Sequence, residues 1–290
     1  MNEFAEVDTK VYNSMGYFEN KVAIVTGGAS GIGRALCEEL GQRGAAMVIV
    51  ADINAEGLGQ VASAITTLGG QVRAAYLDVS RAEDVKKLID DTVLEHGRLD
   101  FMFNNAGIAL GGEVRDMDLE HWRRILDVNL WGVIHGTKAA YQVMVKQGFG
   151  HIVNTASLGG LIPEPMATAY ATTKHAVVGL STSLRAEAAE LGVNVSVVCP
   201  GFVQTRVHDA ATYIGIKRED AISEMSSSMK MMDTTDCARV ILGGVERNKA
   251  IITDTALTRL LWWLYRLSPA ILTPFLRKGV SDMRALRIEL

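Results

Sequence analysis

The sequence predicts an α/β protein: a doubly wound, parallel, seven-stranded sheet with helices on both faces. Short runs rich in β-branched residues recur seven times along the chain. Most are apolar nearly throughout, as strands covered on both faces require. Amphipathic stretches of roughly 12 to 28 residues separate them, long enough for helical crossovers between parallel strands.

The first strand, Lys21–Gly27 (KVAIVTG), runs into the turn TGGASGIG at 26–33. Gly27, Gly31 and Gly33 permit a tight turn and a close backbone approach. A helix opens near Ile32, just after Ser30. The free N–H groups and dipole of such a helix start attract a pyrophosphate. The second strand, Ala46–Asp52, ends on a carboxylate 19 residues after Gly33. Asp52 can accept hydrogen bonds from both adenosine ribose hydroxyls and repels a 2′-phosphate. No arginine follows it, so NAD is expected rather than NADP. The third strand, Val72–Val79, brings Asp78 and Val79 to the place of an adenine ring. The fourth, Leu99–Ala106, ends in Asn104, Asn105, Ala106 and Gly107. Asparagine side chains there can tie strand ends together, a role as open to Asn105 as cofactor contact, while Gly107 admits a cofactor.

A long helical stretch, Asp118–Lys146, carries Asn129, a residue type ill suited to a helix interior. The fifth strand, Gly150–Ser157, delivers Ser157. In the helix that follows, Tyr170 and Lys174 are spaced i,i+4 and share a face. The sixth strand, Val193–Pro200, leads to Gly201, and the seventh is Ala250–Asp254. Residues 1–19 read as a tail, 20–255 as one domain, and 256–290 as an apolar, aromatic helical extension.

Oxidising a secondary alcohol removes a hydride from carbon and a proton from oxygen. A phenol, with a pKa of about 10, is a poor base near neutrality unless a nearby cation favours its ionised form. Lys174 can supply that cation to Tyr170 and also reach a nicotinamide ribose. Ser157 can hydrogen-bond the substrate oxygen as charge develops.

The ordered set TGGASGIG, NNAG at 104–107, Asn129, Ser157, YATTK at 170–174, and Pro200-Gly201 with Thr205 resembles the short-chain dehydrogenase/reductase family over residues 20–255. The resemblance implies a Rossmann fold, NAD(P) use, and assembly as a homotetramer or homodimer. It assigns Asn129, Ser157, Tyr170 and Lys174 to catalysis, with Asn129 holding a water that links Lys174 to solvent. It sets Pro200, Gly201, Val203 and Thr205 beside the nicotinamide and makes residues 204–232 a substrate lid.

That stretch shows no convincing strand, and Met225, Met229 and Met232 share one helical face of it. With Leu158, Leu161, Met166 and Phe202 they predict an apolar pocket for a lipophilic secondary alcohol or ketone. Alternatives are a 3-oxoacyl-thioester reductase, a membrane-docked dehydrogenase acting on lipid or steroid-like substrates, and a nucleotide-sensing protein without chemistry. The segment Leu257–Leu276 (LTRLLWWLYRLSPAILTPFL) is expected to be buried against a lid or oligomer interface, or in a membrane surface through residues 256–278.

A net charge of −4 gives no basic stripe for nucleic acid. Cys37, Cys199 and Cys237 are odd in number and scattered, which predicts reduced thiols and no metal centre. The N-terminus lacks a signal-peptide pattern and no apolar run reaches 18 residues, so a cytoplasmic protein is expected. His121, His151 and His208 are read as surface or capping residues.

Overall fold

The computed structural model describes residues 16–205, 211–220, 222–223 and 231–288. Its first strand shows why the strand runs are so apolar. Every residue of β1 (Val22–Thr26) is buried. Ala23 and Val25 enter one core layer with Leu36, Leu40 and Ile241. Val22 and Ile24 enter the opposite layer with Val85, Ile89 and Met144. Each such side chain contributes about 1.5–3 kcal/mol when fully buried.

The chain continues through α1 (Gly31–Gln42), β2 (Met47–Asp52), α2 (Ala55–Thr67), β3 (Val72–Tyr76), α3 (Ala82–His96), β4 (Phe101–Asn104) and β5 (Leu110–Gly111). Then come α4 (Leu119–Leu126), α5 (Gly132–Gln147), β6 (Gly150–Thr155), α6 (Thr168–Ala188), β7 (Val193–Cys199) and β8 (Thr212–Tyr213). The last elements are α7 (Thr234–Glu246), β9 (Ile251–Thr253), α8 (Ala256–Leu267) and α9 (Thr273–Ala285). Seven strands form one sheet in the order β3-β2-β1-β4-β6-β7-β9. All of its pairings are parallel; β1 aligns with β2 from Val22↔Met47 to Thr26↔Ala51. The order reverses between β1 and β4, which opens a crevice at the carboxyl ends of those strands.

Four local expectations are corrected. Tyr17 and Phe18 are not tail: Phe18 is 1% exposed and packs against Phe101 in a tilted pair, 5.1 Å between ring centroids. Residues 1–15 lie outside the described residues. The stretch 118–146 is two helices, joined by a π-helical turn at Asp127–Trp131 whose wider bonding runs from Gly132 N–H to Asp127 O. Residues 204–232 were expected to hold no strand, yet β8 pairs in parallel with β5 (Leu110↔Thr212). Two residues are too few to show alternation.

The fourth correction concerns the C-terminal segment. It breaks at Ser268, where Pro269 starts a short 3-10 turn. Only part of it is buried. Leu261 and Tyr265 pack inward, with Leu272, on Leu158 and Ile162. Leu257, Leu260, Trp263 and Leu267 are each at least half exposed. Helix α9 then crosses to the β5–β8 side. There Arg284 bonds both oxygens of Glu113 (3.1 and 2.8 Å), Arg287 bonds Asp116 (2.8 Å), and Ile288 N–H donates to Gly215 O (3.0 Å). No helix among the described residues is long and apolar enough to cross a membrane.

Candidate active site

The glycine turn is built by exclusion of side chains. Gly27 has φ +65° and an added Cβ would stand 2.7 Å from Ala106 Cα. At Gly33 an added Cβ would meet Gly27 O at 2.1 Å. Thr26 Oγ1 accepts the N–H groups of Asn105 (3.0 Å) and Ala106 (3.1 Å). Asn105 Nδ2 donates to Thr26 O at 3.1 Å, so this residue ties β4 to the turn. Helix α1 opens after Ser30 at Gly31 and Ile32 with no side-chain cap and no acid in its first turn. An uncapped helix start fits an anion such as pyrophosphate. Thr205 closes over the turn, its Cβ 3.4 Å from a Cβ built on Gly31.

Asp52 is held in place rather than buried. Its Oδ2 accepts from Ala29 N–H (3.0 Å) and its Oδ1 from Asn54 N–H (2.9 Å). The carboxylate therefore sits against the glycine turn, where ribose hydroxyls fit. Asp78 Oδ1 accepts from Ser80 N–H (3.0 Å) and Oγ (2.7 Å), and Val79 O is joined to His135 Nδ1 (3.0 Å). Asn104 ties β4 to β6: its side chain turns into the core, donating to Asn154 Oδ1 (2.8 Å) and Thr137 Oγ1 (3.2 Å).

The residues expected to react gather from three elements. Ser157, just beyond β6, accepts from Gly159 N–H at 3.1 Å, and its hydroxyl is near enough to the Tyr170 phenol to influence its ionisation. Lys174 is 4% exposed; its Nζ donates to Thr155 O at 3.0 Å and lies 5.4 Å from the Tyr170 ring centroid. Asn129, in the π-helical turn, is fully buried. It clasps Ile108, accepting its N–H at 2.8 Å and donating to its O at 2.9 Å. Gly107 brings the last two together: a Cβ built there would stand 3.3 Å from Asn129 Oδ1 and 3.6 Å from Lys174 Nζ.

Electrostatics set the protonation of this cluster. Burial raises the Tyr170 phenol above its usual range, Glu164 raises it further, and the neighbouring Ser157 hydroxyl pulls it back. Burial lowers the Lys174 ammonium to about 8, with Cys199 and Glu164 opposing. Burial also raises the Cys199 thiol to about 12, with Lys174 opposing. Glu164 and Cys199 are the groups that sequence reasoning missed. The signal for Glu164 was a single acid inside the apolar run GGLIPEPMA.

In the segment expected to flank the nicotinamide, Pro200 O accepts from Leu158 N–H (2.7 Å) and Gly201 N–H donates to Asp254 Oδ2 (2.8 Å). The other oxygen of Asp254 accepts from Thr258 Oγ1 (2.7 Å) and Thr255 N–H (2.8 Å) in the start of α8. Val203 is buried and bridges to Met232. Leu158 and Phe202 pack in one apolar cluster with Leu272. Leu161 packs elsewhere, against Val177 and Ala156. Met225, Met229 and His208 lie outside the described residues. His121 caps α4 reciprocally with Asp118. His151 is instead a core residue, 2% exposed and 2.8 Å from Ser196 Oγ. Among the described residues no acid, cysteine or histidine cluster could hold a metal.

The short chain dehydrogenase family model matches residues 21–212. The chain is 37% identical to SadH of Mycobacterium tuberculosis, named as an oxidoreductase, over 81% of this chain and 86% of that protein. It is 39% identical to the cyclohexanol dehydrogenase of Acinetobacter sp. strain SE19, over 65% of this chain and 75% of that enzyme. A short-chain dehydrogenase/reductase of Burkholderia phymatum, crystallised with NAD, superposes with a TM-score of 0.76 at 28% identity, covering 94% of this chain and 97% of that one. The protein belongs to the short-chain dehydrogenase/reductase family of oxidoreductases.

Proposed function

We propose that this protein is an NAD-dependent dehydrogenase that interconverts a lipophilic secondary alcohol and its ketone. The observation that carries the reading is the gathering of Ser157, Tyr170 and Lys174, with Lys174 Nζ 5.4 Å from the Tyr170 ring centroid, at the crevice where the strand order reverses. When bound, the nicotinamide accepts the hydride in oxidation and returns it in reduction. The chain's own residues do the rest. Tyr170 takes the hydroxyl proton in oxidation and gives it back in reduction. Ser157 donates to the substrate oxygen. Lys174 stands by the Tyr170 ring, binds the ribose and, while charged, offsets the burial that otherwise disfavours the phenolate. Asn129 supports Lys174 from across Gly107 and completes a route for the proton to solvent.

The turn from Gly27 through Ser30, Gly31 and Ile32 to Gly33 holds the pyrophosphate. Asp52 holds the adenosine ribose, which supports NAD over its phosphorylated form. Asp78 and Val79 border the adenine; Ala106, Gly107, Pro200, Gly201, Val203 and Thr205 border the nicotinamide half. Leu158 and Phe202 supply apolar walls for the substrate, in keeping with the cyclohexanol-oxidising relative.

Tyr170→Phe tests the central role. It is expected to leave NAD affinity within about twofold and to cut alcohol turnover by about 10²–10⁴, the range for a positioned acid or base. Turnover is read from absorbance of the reduced cofactor over a panel of cyclic and linear alcohols. Undiminished turnover in the variant overturns the assignment.

A second reading concerns the exposed face of α8. Leu257, Leu260, Trp263 and Leu267 form an apolar stripe next to Arg259 and Arg266. Residues 256–288 carry six basic residues against one acid on a chain of net charge −4. Such a face suits shallow contact with an anionic membrane surface. Flotation with anionic liposomes is expected for the native chain and not for Leu260→Glu/Trp263→Glu. If the native chain stays with the soluble fraction, that contact is excluded. Assembly as a homodimer or homotetramer belongs to the same proposal and is read by sedimentation velocity.

A further inference from the structure

Glu164 is a buried acid for which the proton transfer described above has no use. It lies between Pro163 and Pro165 in the loop leading from the Ser157 turn to α6. Its Oε2 is buried and has no hydrogen-bond partner among the described residues. That oxygen fills the volume a side chain at 159 would need: a Cβ built on Gly159 would stand 1.8 Å from it. Gly159 is also the residue whose N–H donates to Ser157 Oγ. The unpaired carboxyl therefore borders the turn that presents the catalytic serine.

Glu164 also lines a cavity of about 850 Å³ between α6 and α9. Ala171, Thr172 and His175 line it too, so the cavity lies behind the face of α6 that carries Tyr170 and Lys174. Pro163, Pro165, Leu276 and Val280 make its walls largely apolar. Glu164 therefore stands between this cavity and the Ser157 turn.

We propose that the Glu164 carboxyl is a second polar subsite, binding a hydroxyl or carbonyl oxygen that the substrate carries away from its reacting carbon. The substrate class is then a lipophilic diol, hydroxyketone or diketone. This rests on the alcohol–ketone reading above.

The charged neighbours narrow the ligand to a neutral oxygen. Lys174 and Tyr170 of α6 and Cys199 of β7 interact electrostatically with one another or with the acid. His175 of α6 and Arg277 and Arg284 of α9 face the shared cavity, and Arg284 is paired with Glu113. An ammonium ligand meets these cations, and a ligand carboxylate meets Glu164 itself. Burial raises the Glu164 carboxyl to about 7 against the pull of Lys174. Near neutrality it can donate to a carbonyl when protonated and accept from a hydroxyl when ionised. An oxygen without a partner in an apolar setting gains most from such a ligand.

The test measures binding apart from turnover. NAD-loaded Tyr170→Phe protein is titrated with cyclohexanol and with the 1,2-, 1,3- and 1,4-cyclohexanediols, followed by ligand-observed NMR. At least one diol is expected to bind about tenfold tighter than cyclohexanol. Glu164→Leu is expected to abolish that preference, and the isosteric Glu164→Gln to retain part of it. With Tyr170 intact, the diol-to-cyclohexanol ratio of kcat/KM follows the same order. No preference for any diol, or a preference that survives Glu164→Leu, overturns the subsite. A preference that depends on Glu164 in a protein that oxidises none of these alcohols supports the subsite and rejects the reaction instead.

Discussion

Two buried groups make the stability of this protein depend on pH in opposite directions. His151 is driven down to about 3, by burial first and by Arg185 second. The folded protein keeps it neutral while the unfolded chain protonates near pH 6.5, so stability falls as pH drops from there toward 3. Glu164 behaves the other way. Its folded pKa lies above the ordinary 4.5, at about 7, so between those values the folded state holds a proton the unfolded chain has released. Stability then falls as pH rises through that window and levels off above it. Urea unfolding at pH 5.5 and pH 8 checks this. The native chain is expected to lose on the order of 2 kcal/mol relative to Glu164→Gln between the two values. Parallel behaviour of the two proteins contradicts a buried, proton-holding Glu164.

Short elements decide how the cofactor crevice is shaped, and glycines there are not interchangeable. Gly33 leaves no space for a methyl group, because the Gly27 carbonyl stands 2.1 Å from where it would be. Gly33→Ala is expected to cost about 1–3 kcal/mol through overpacking and to weaken NAD binding at least tenfold. Gly59, on the exposed side of α2, has nothing within 4 Å of an added Cβ. Gly59→Ala is expected to raise stability by up to about 1 kcal/mol through helix propensity, with NAD binding unchanged. Thermal denaturation and cofactor titration separate the two outcomes. This contrast also shows what could be read without coordinates. The glycine turn, Asp52 and the Tyr170–Lys174 pair depend on spacings of a few residues, and local periodicity carries them. The β5–β8 pair joins residues about a hundred positions apart over two residues each, which leaves no local trace. Asn129 was marked as an odd helix residue. That its oddness reflects a π-helical turn gripping Ile108 needed the folded chain. Glu164 hid in a loop whose burial comes from the Ser157 turn it packs against, and Asn104 pointed inward because of partners on β6 and α5.

Across the whole molecule, charge is distributed unevenly and the C-terminal extension is the basic part. Glu113 is the anchor for α9, held well below the usual carboxylate range, at about 2, by hydrogen bonds from Arg284 and then Arg115. Arg284→Ala is expected to free the end of α9 while sparing the sheet. Limited proteolysis then cuts after residue 267 several times faster, with little change in the main thermal transition; equal cutting rates argue that the apolar contacts of Leu272 and its neighbours suffice. The other end of the extension is joined to the chemistry by one carboxylate. Asp254 holds Gly201 N–H with one oxygen and the first turn of α8 with the other. Whatever tugs on α8, be it a bilayer, a neighbouring subunit or a protease, therefore pulls on the Pro200–Gly201 bend after β7. Removing the extension is consequently no neutral surgery: a shortened chain would forfeit a tether at its catalytic cleft as well as its greasy, positively charged surface.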